Sequence, residues 1–324
     1  AGPAAAAAAP PEDPRRTLVQ ALASRVAWGI NRASTTTASG LVATALLTRA
    51  PRGLAAGALA RRVELLRELA ARGGARLARG LAGASGDPRA PGPIADALAR
   101  FAEEGLVRVE QAAGGPVYLP VEERRPLLDY HRNAALHRWV PLALVADALR
   151  ASGGDAPRAE VLERTRWLSR LFKREFLYPV GVPAEETFYT AAAELARAGA
   201  LVAEGGRLRA GPDREALELL ADLLRPYLEA YRVAAEALGE AGPGERPADC
   251  RALVKAALER GRAAYGDGDV ALRESLSKAT FENAAEWLEQ QGAFRPEPPP
   301  GPAAAWRDAA CADLVRELAR HLQS

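Results

Sequence analysis

Apolar side chains along this chain recur mostly at intervals of three and four, the period that gathers them on one face of an α-helix. Leu18, Leu22, Val26 and Ile30 predict a helix over 16–30. Leu59, Val63, Leu66 and Leu69, with arginines opposite, predict a longer one over 54–73 that reads as a packing face rather than a membrane anchor. Between them, "SGLVATALL" (39–47) is the longest apolar patch. It is well short of the roughly 18–20 residues that cross a bilayer, so it reads as a buried helix. Thr37 stands just ahead of it as an N-cap, its hydroxyl placed to accept from an otherwise free amide.

The helical period then gives way to a helix–strand–turn–strand pattern. "ALARFAEEGLVRVEQAAGGPVYLP" reads as a helix stopped at Gly105, a strand over 106–110, a glycine turn and a return strand over 117–119. "AELARAGALVAEGGRLRAG" repeats it: a stop at Gly199, a strand over 201–203, a turn at Gly205–Gly206 and a strand over 207–209. A third stop, Gly292, closes "AEWLEQQG", with a proline-rich stretch where the return strand would come. Glycine suits each stop because a helix commonly exits through a left-handed residue. The stops are 94 and 93 residues apart, which suggests repeated helix–hairpin units. The predicted fold is therefore mainly α, a multi-helix array with short two-stranded β-hairpins in winged-helix-like units.

Composition shifts divide the chain. They predict a disordered Ala/Pro-rich tether over 1–15, a helical subdomain with the first hairpin over 16–150 and a second such subdomain over 155–294. A Pro-rich linker over 295–303 and a terminal helix over 304–324 follow. The tether lacks a basic leader, an apolar core and a small-residue cleavage site, so it does not read as a signal peptide. The chain holds no methionine, not even at position 1, and the expectation is a fragment or an edited chain. Of its 43 basic residues only Lys173, Lys255 and Lys278 are lysines, so an arginine here says little by itself. Cys250 and Cys311 have no metal-ligand spacing and fit a reducing setting.

Winged-helix modules often bind DNA, but the helices ahead of the two hairpins, "IADALARFAEEG" and "EETFYTAAAELARAG", carry few cations. The net charge is only +2, and no nucleic-acid partner is expected. "LLDYHRNAALHRWV" (127–140) holds two of the three histidines. On one continuous helix His131 and His137 would lie about 120° apart, whereas metal-binding pairs favour a spacing of three or four. No cysteine or carboxylate completes a ligand set, and neither histidine opens a His–four residues–Asp unit. They read as packing or capping residues beside Tyr130 and Trp139, with no metal, cofactor or catalytic group expected.

At these residues a family resemblance becomes specific. "LLDYHRNAALHRWVPLALVADAL" (127–149) resembles a segment of bacterial membrane glycerol-3-phosphate acyltransferases. "WGINRASTTTASGLVATALLTRAPRGL" (28–54) resembles the stretch just beyond their catalytic domain, although Ala38 stands where that stretch usually has proline. "LFKREFLYPVG" (171–181), "LLRPYLEAYRVAAEAL" (223–238) and "ESLSKATFENAAEWLEQQGAF" (274–294) resemble later blocks in the same order, so the likeness covers roughly residues 17–294.

The resemblance implies an enzyme family that moves a fatty acyl group from acyl-CoA or acyl carrier protein to glycerol 3-phosphate in phospholipid biosynthesis. Its chemistry needs a histidine base with an orienting aspartate, and cationic groups for the phosphate. In the family these sit upstream, on a His–four residues–Asp motif and the phosphate-binding motifs after it. None of these motifs occurs here, so the chain is similar to the carboxy-terminal region without the catalytic domain. The implied role is a non-catalytic scaffold or regulatory region, inactive alone. Its partner is the acyltransferase catalytic domain, and the acyl donor and glycerol 3-phosphate are met only through that domain.

A peripheral place on the cytoplasmic side of the bacterial inner membrane is also implied, and an isolated region should expose the apolar patch that meets its partner. The alternative is a stand-alone helical interaction module acting in trans with a separate acyltransferase subunit. Interface or capping candidates are Asn31 and Arg32 in "NRAS", Asn133 and His137, Lys173 and Arg174 in "FKRE", and Lys278 and Asn283 beside the candidate caps Ser275 and Ser277.

Overall fold

In the computed structural model, residues 14–48, 53–179, 181–239, 247–294 and 302–322 are described. The helices of the first half are α1 (Pro14–Ala33), α2 (Ala38–Leu47), α3 (Ala56–Arg72), α4 (Pro93–Glu103), α5 (Arg125–Leu136) and α6 (Val140–Ala151). Those of the second half are α7 (Arg158–Leu171), α8 (Ala184–Arg197), α9 (Arg214–Asp222), α10 (Arg225–Gly239), α11 (Cys250–Asp267), α12 (Lys278–Gln290) and α13 (Pro302–Leu322). The short strands are β1 (Thr35–Thr36), β2 (Leu54–Ala55), β3 (Arg76–Leu77), β4 (Val107–Ala112), β5 (Gly115–Pro120), β6 (Asp155–Pro157), β7 (Leu201–Glu204) and β8 (Arg207–Ala210). The fold is mainly α with small sheets, as the periodicity predicts. Of the tether predicted over 1–15, residues 1–13 lie outside the described residues, and Pro14 and Arg15 already belong to α1. The stretch 295–301, where a third return strand would fall, also lies outside the described residues.

Both hairpins form where the glycine signals place them. Gly105, Gly199 and Gly292 end their helices at φ of 67°, 73° and 88°, in the left-handed region. Each hairpin gains a third antiparallel strand: β2 joins the first sheet in the order β2-β5-β4, and β6 joins the second in the order β6-β8-β7. Two- and three-residue strands carry too little alternation to be seen in sequence.

The apolar patch 39–47 is the central helix α2. Leu41, Val42, Ala43, Ala45, Leu46 and Leu47 are all fully buried. Thr37 caps it, its Oγ1 accepting from the Gly40 amide at 3.1 Å. The buried Thr44 and Thr48 hydroxyls donate to carbonyls four residues back at 2.7 Å, so the helix buries no unpaired hydroxyl there. α3 buries Leu59, Val63, Leu66 and Leu69, the face its periodicity predicts. Later, α6 packs on α7, α8 and α9, and α10 packs on α11, α12 and α13. Buried apolar residues from Ala38 to Leu318 form one cluster spanning both predicted segments.

The stretch that holds two of the histidines is not one continuous helix. The chain from 127 to 149 turns between α5 and α6 at His137–Trp139, ahead of Pro141. Proline cannot donate a helical hydrogen bond but is tolerated in a first turn, so it starts α6 instead of continuing α5. The bend corrects the geometry assigned to His131 and His137, because only His131 sits within the helix. The stretch 223–238, by contrast, is almost entirely the single helix α10, with Pro226 in its first turn.

Candidate functional site

The five segments that carry the resemblance meet in space. At the first junction, Ser34 Oγ donates to the Asn31 carbonyl at 2.7 Å, and His137 Nε2 lies 3.1 Å from the same carbonyl. Arg138 donates to Ser34 Oγ at 2.9 Å and to its carbonyl. "NRAS" is thus held by "HRW" from more than a hundred residues away. His137 is half-buried; burial, and then the adjacent Arg138 charge, hold its pKa below the ordinary histidine value. A neutral ring donating to the Asn31 carbonyl fits that environment. Asn31 contributes its carbonyl here rather than a side-chain cap. Trp139 anchors the bend, fully buried, with Nε1 donating to the Leu66 carbonyl at 3.0 Å. His131 packs between Phe101 and Tyr130, ring centroids 5.1 and 5.9 Å away.

A second junction is aromatic and ionic. Phe172 and Phe176 of "LFKREFLYPVG" pack on Tyr227 of α10 at 6.1 and 4.9 Å, and Phe172 also meets Tyr231 at 5.3 Å. From α5, Asn133 donates to Asp129 at 3.0 Å and lies 3.5 Å from the Tyr227 hydroxyl. Buried Arg132 pairs with Asp129 at 2.5 Å. Burial pushes the Tyr227 hydroxyl up to about 12. Arg174 pairs with Glu286, and Asn283 lies beside Glu175, so the "FKRE" turn is tied to α12.

Deeper still, Arg125 pairs with Glu274 at 3.0 Å, their side chains 2% and 1% exposed. Glu229 accepts from Ser275 Oγ at 2.7 Å, from the Ala271 and Leu272 amides at 3.2 Å each, and from Arg225 at 2.9 Å. Ser277 caps α12 through the Thr280 amide, whereas Ser275 is this buried donor instead of a cap.

Burial raises Glu175 to about 7, against the opposing pull of Asn283 and Tyr231. A carboxyl whose folded pKa is raised contributes stability that is complete below its unfolded value and is lost as pH rises through 7. Glu175→Gln is therefore expected to stabilise the chain by about 2 kcal/mol at pH 8, after allowance for partial exposure, and to change little at pH 5. Urea denaturation at the two pH values reads this; equal effects at both would show that Glu175 is not held against its charge.

The remaining candidates sit on solvent. Arg32 and Lys173 are exposed, and Lys278 makes an exposed pair with Glu282 at 3.2 Å. Pairs of that kind contribute little.

The sequence reading missed His321, the third histidine. It is fully buried on α13, its Nδ1 2.5 Å from Asp147 and its ring stacked on Trp167 at 5.5 Å. Asp147 also takes Arg150 at 2.8 Å, and Arg150 reaches Asp222 at 2.5 Å. Burial pulls the imidazole pKa down, but Asp147 and Glu317 outweigh it and raise it to about 9. The pair has the form of a base and its orienter, but no substrate reaches a ring with no exposed surface. The signal available in sequence was Asp147 itself, a carboxylate three residues from Arg150 in an otherwise apolar helix.

Between α6, α7 and α8 lies a cavity of about 110 Å³, lined by Leu144, Val145, Tyr178, Val182 and Phe188 among others. Small-molecule sites commonly run to about 300 Å³ or more, so it is too small for an acyl thioester. Among the described residues no group of three or more His, Cys, Asp or Glu side chains could hold a metal, and no helix is long and apolar enough to cross a membrane.

Fold and junctions together define a mainly helical region in which these polar groups hold the chain's own segments together. The family model for the glycerol-3-phosphate acyltransferase C-terminal region matches residues 3–297, and the chain belongs to that family. No curated protein matches the chain.

Proposed function

We propose that this chain is the non-catalytic scaffold region of a glycerol-3-phosphate O-acyltransferase, peripheral to the cytoplasmic face of a bacterial inner membrane. It holds the catalytic domain that moves a fatty acyl group from acyl-CoA or acyl carrier protein to glycerol 3-phosphate. The observation that supports this reading is the convergence of the five family-like segments on internal junctions, with the histidines engaged in packing and bracing. A natural docking face lies on the outer side of α5 and the turn after α7, where Tyr130, Leu127 and Leu177 are 76%, 49% and 41% exposed. Asn133, Tyr227 and Phe176 connect the two elements.

The test is to mix the purified chain with a separately expressed acyltransferase catalytic domain, and to assay binding and transfer of palmitoyl from palmitoyl-CoA to glycerol 3-phosphate. The expected result is no turnover by the chain alone, binding to the catalytic domain, and a loss of about tenfold in affinity for Tyr130→Asp. Turnover by the chain alone that His137→Ala abolishes would refute the scaffold role, and binding unaffected by Tyr130→Asp would move the docking face elsewhere.

A further inference from the structure

Helix α1 presents its apolar side the wrong way for a packed helix. Leu18, Val19, Leu22, Val26 and Ile30 are 60%, 64%, 53%, 62% and 65% exposed. Ala27, Trp28 and Asn31 are half-buried and mark the side that meets the rest of the chain. At 100° per residue the exposed stripe lies roughly opposite them. Residues 21–26 are exposed all round, so this stretch of the helix projects from the fold, and among the described side chains the half-buried ones lie in its last turns. A helix of this kind receives little tertiary support, and a partner for the stripe is what would stabilise it.

The charge on α1 says which partner. Its sequence, PRRTLVQALASRVAWGINRA, carries Arg15, Arg16, Arg25 and Arg32 and no acidic residue, although acidic and basic residues nearly balance in the chain as a whole. Arg25 and Arg32 are exposed and fall on one border of the stripe. An apolar sector bordered by cations, on a helix without one carboxylate, matches an anionic phospholipid surface: acyl chains for the stripe, headgroup phosphates for the guanidiniums. It differs from α3, which is also amphipathic and arginine-rich but buries its apolar face.

We infer that α1 is a membrane-contacting element that lies in the headgroup region of an anionic bilayer, with Leu18, Leu22, Val26 and Ile30 turned into the lipid. The inference rests on the peripheral-membrane part of the proposed function and assigns that contact to one helix. The stripe shares no residue with the α5 face proposed to receive the catalytic domain.

The experiment is flotation of the 324-residue chain with vesicles of phosphatidylglycerol and phosphatidylcholine in roughly equal parts, beside vesicles of phosphatidylcholine alone. The chain is expected to float with the anionic vesicles, and to lose at least about tenfold in affinity when NaCl rises from about 0.1 to about 0.5 M. Leu22→Ser/Val26→Ser is expected to lose about tenfold or more, and Arg25→Glu to weaken the anionic preference. These positions lie off the core, so unchanged circular dichroism and thermal unfolding accompany the expected result. Val202→Ser, at an exposed apolar position on β7, is the control.

Wild type and the double variant floating alike would overturn the assignment to α1 and leave the membrane reading standing. Equal binding to both vesicle types would overturn the anionic partner. A wild-type chain that floats with neither would overturn both readings, and the stripe would then belong to a protein surface.

Discussion

Asp147→Ala is expected to lower the stability of the chain by about 4 kcal/mol near pH 6, one of the two largest effects of any single substitution proposed for this chain. The carboxylate is completely buried and serves two cations, His321 at 2.5 Å and Arg150 at 2.8 Å. Without it, Arg150 keeps Asp222 and the imidazole keeps Glu317 at 3.7 Å, but the nearer counter-charge of His321 is gone. The imidazole must then either carry a poorly compensated charge in a buried position or give up its proton.

The effect depends on pH, and its sign follows from His321. Its folded pKa of about 9 lies above the ordinary 6.5, so the stability it contributes is complete below pH 6.5 and lost as pH rises through 9. That gap is worth about 3 kcal/mol. Wild type and Asp147→Ala should therefore differ most at pH 6 and converge towards pH 9.5, as read by urea denaturation at both. A constant difference would mean that the histidine is neutral throughout. On the acid side Glu317, held near 2 by hydrogen bonding to His321 against its desolvation, and by nearby arginines, contributes stability that is lost only as pH falls from 4.5 through 2.

The second large effect is expected at Arg125. Its side chain is 2% exposed, and its partner Glu274 is 1% exposed and 149 residues away. Arg125 also has Glu122 at 3.9 Å on its exposed side, but a second carboxylate cannot replace the cation that Glu274 would lose. Arg125→Ala leaves that carboxylate buried without its cation and should cost about 3–5 kcal/mol. Replacing both partners, as Arg125→Met/Glu274→Leu, should recover most of the loss, because two apolar side chains of similar length need no counter-charge. Guanidinium denaturation of the single and double variants separates the cases. A double variant no more stable than the single one would show that the pair also fixes the geometry around the 3-10 turn Arg273–Leu276.

What the sequence shows in advance is what is decided within a few residues. The Thr37 cap, the left-handed exits at Gly105, Gly199 and Gly292 and the two glycine-turned hairpins depend on near neighbours, and all form as read. The bend at His137–Trp139 was also local: Pro141 announces a helix start, but the apolar period running through it masks the signal. β2 and β6 are another matter, since strands of two and three residues exist only because a hairpin edge is there to receive them. The site divides in the same way. Phe172, Asn133 and Asn283 stand out as members of motifs, yet nothing along the chain says that Asn133 faces Tyr227 or that Asn283 lies beside Glu175. His321 and Asp147 are least legible of all, because each looks unremarkable until the fold brings them together.

The brace between α6 and α13 also sets an order in time. Asp147 and His321 are 174 residues apart, so a ribosome adding about 5–20 residues per second makes the second roughly 10–35 s after the first. During that interval the middle of the chain carries a carboxylate without its imidazole and an apolar α10 surface without α13. Nascent chains interrupted before His321 would display both, and would be early targets for chaperones and proteases.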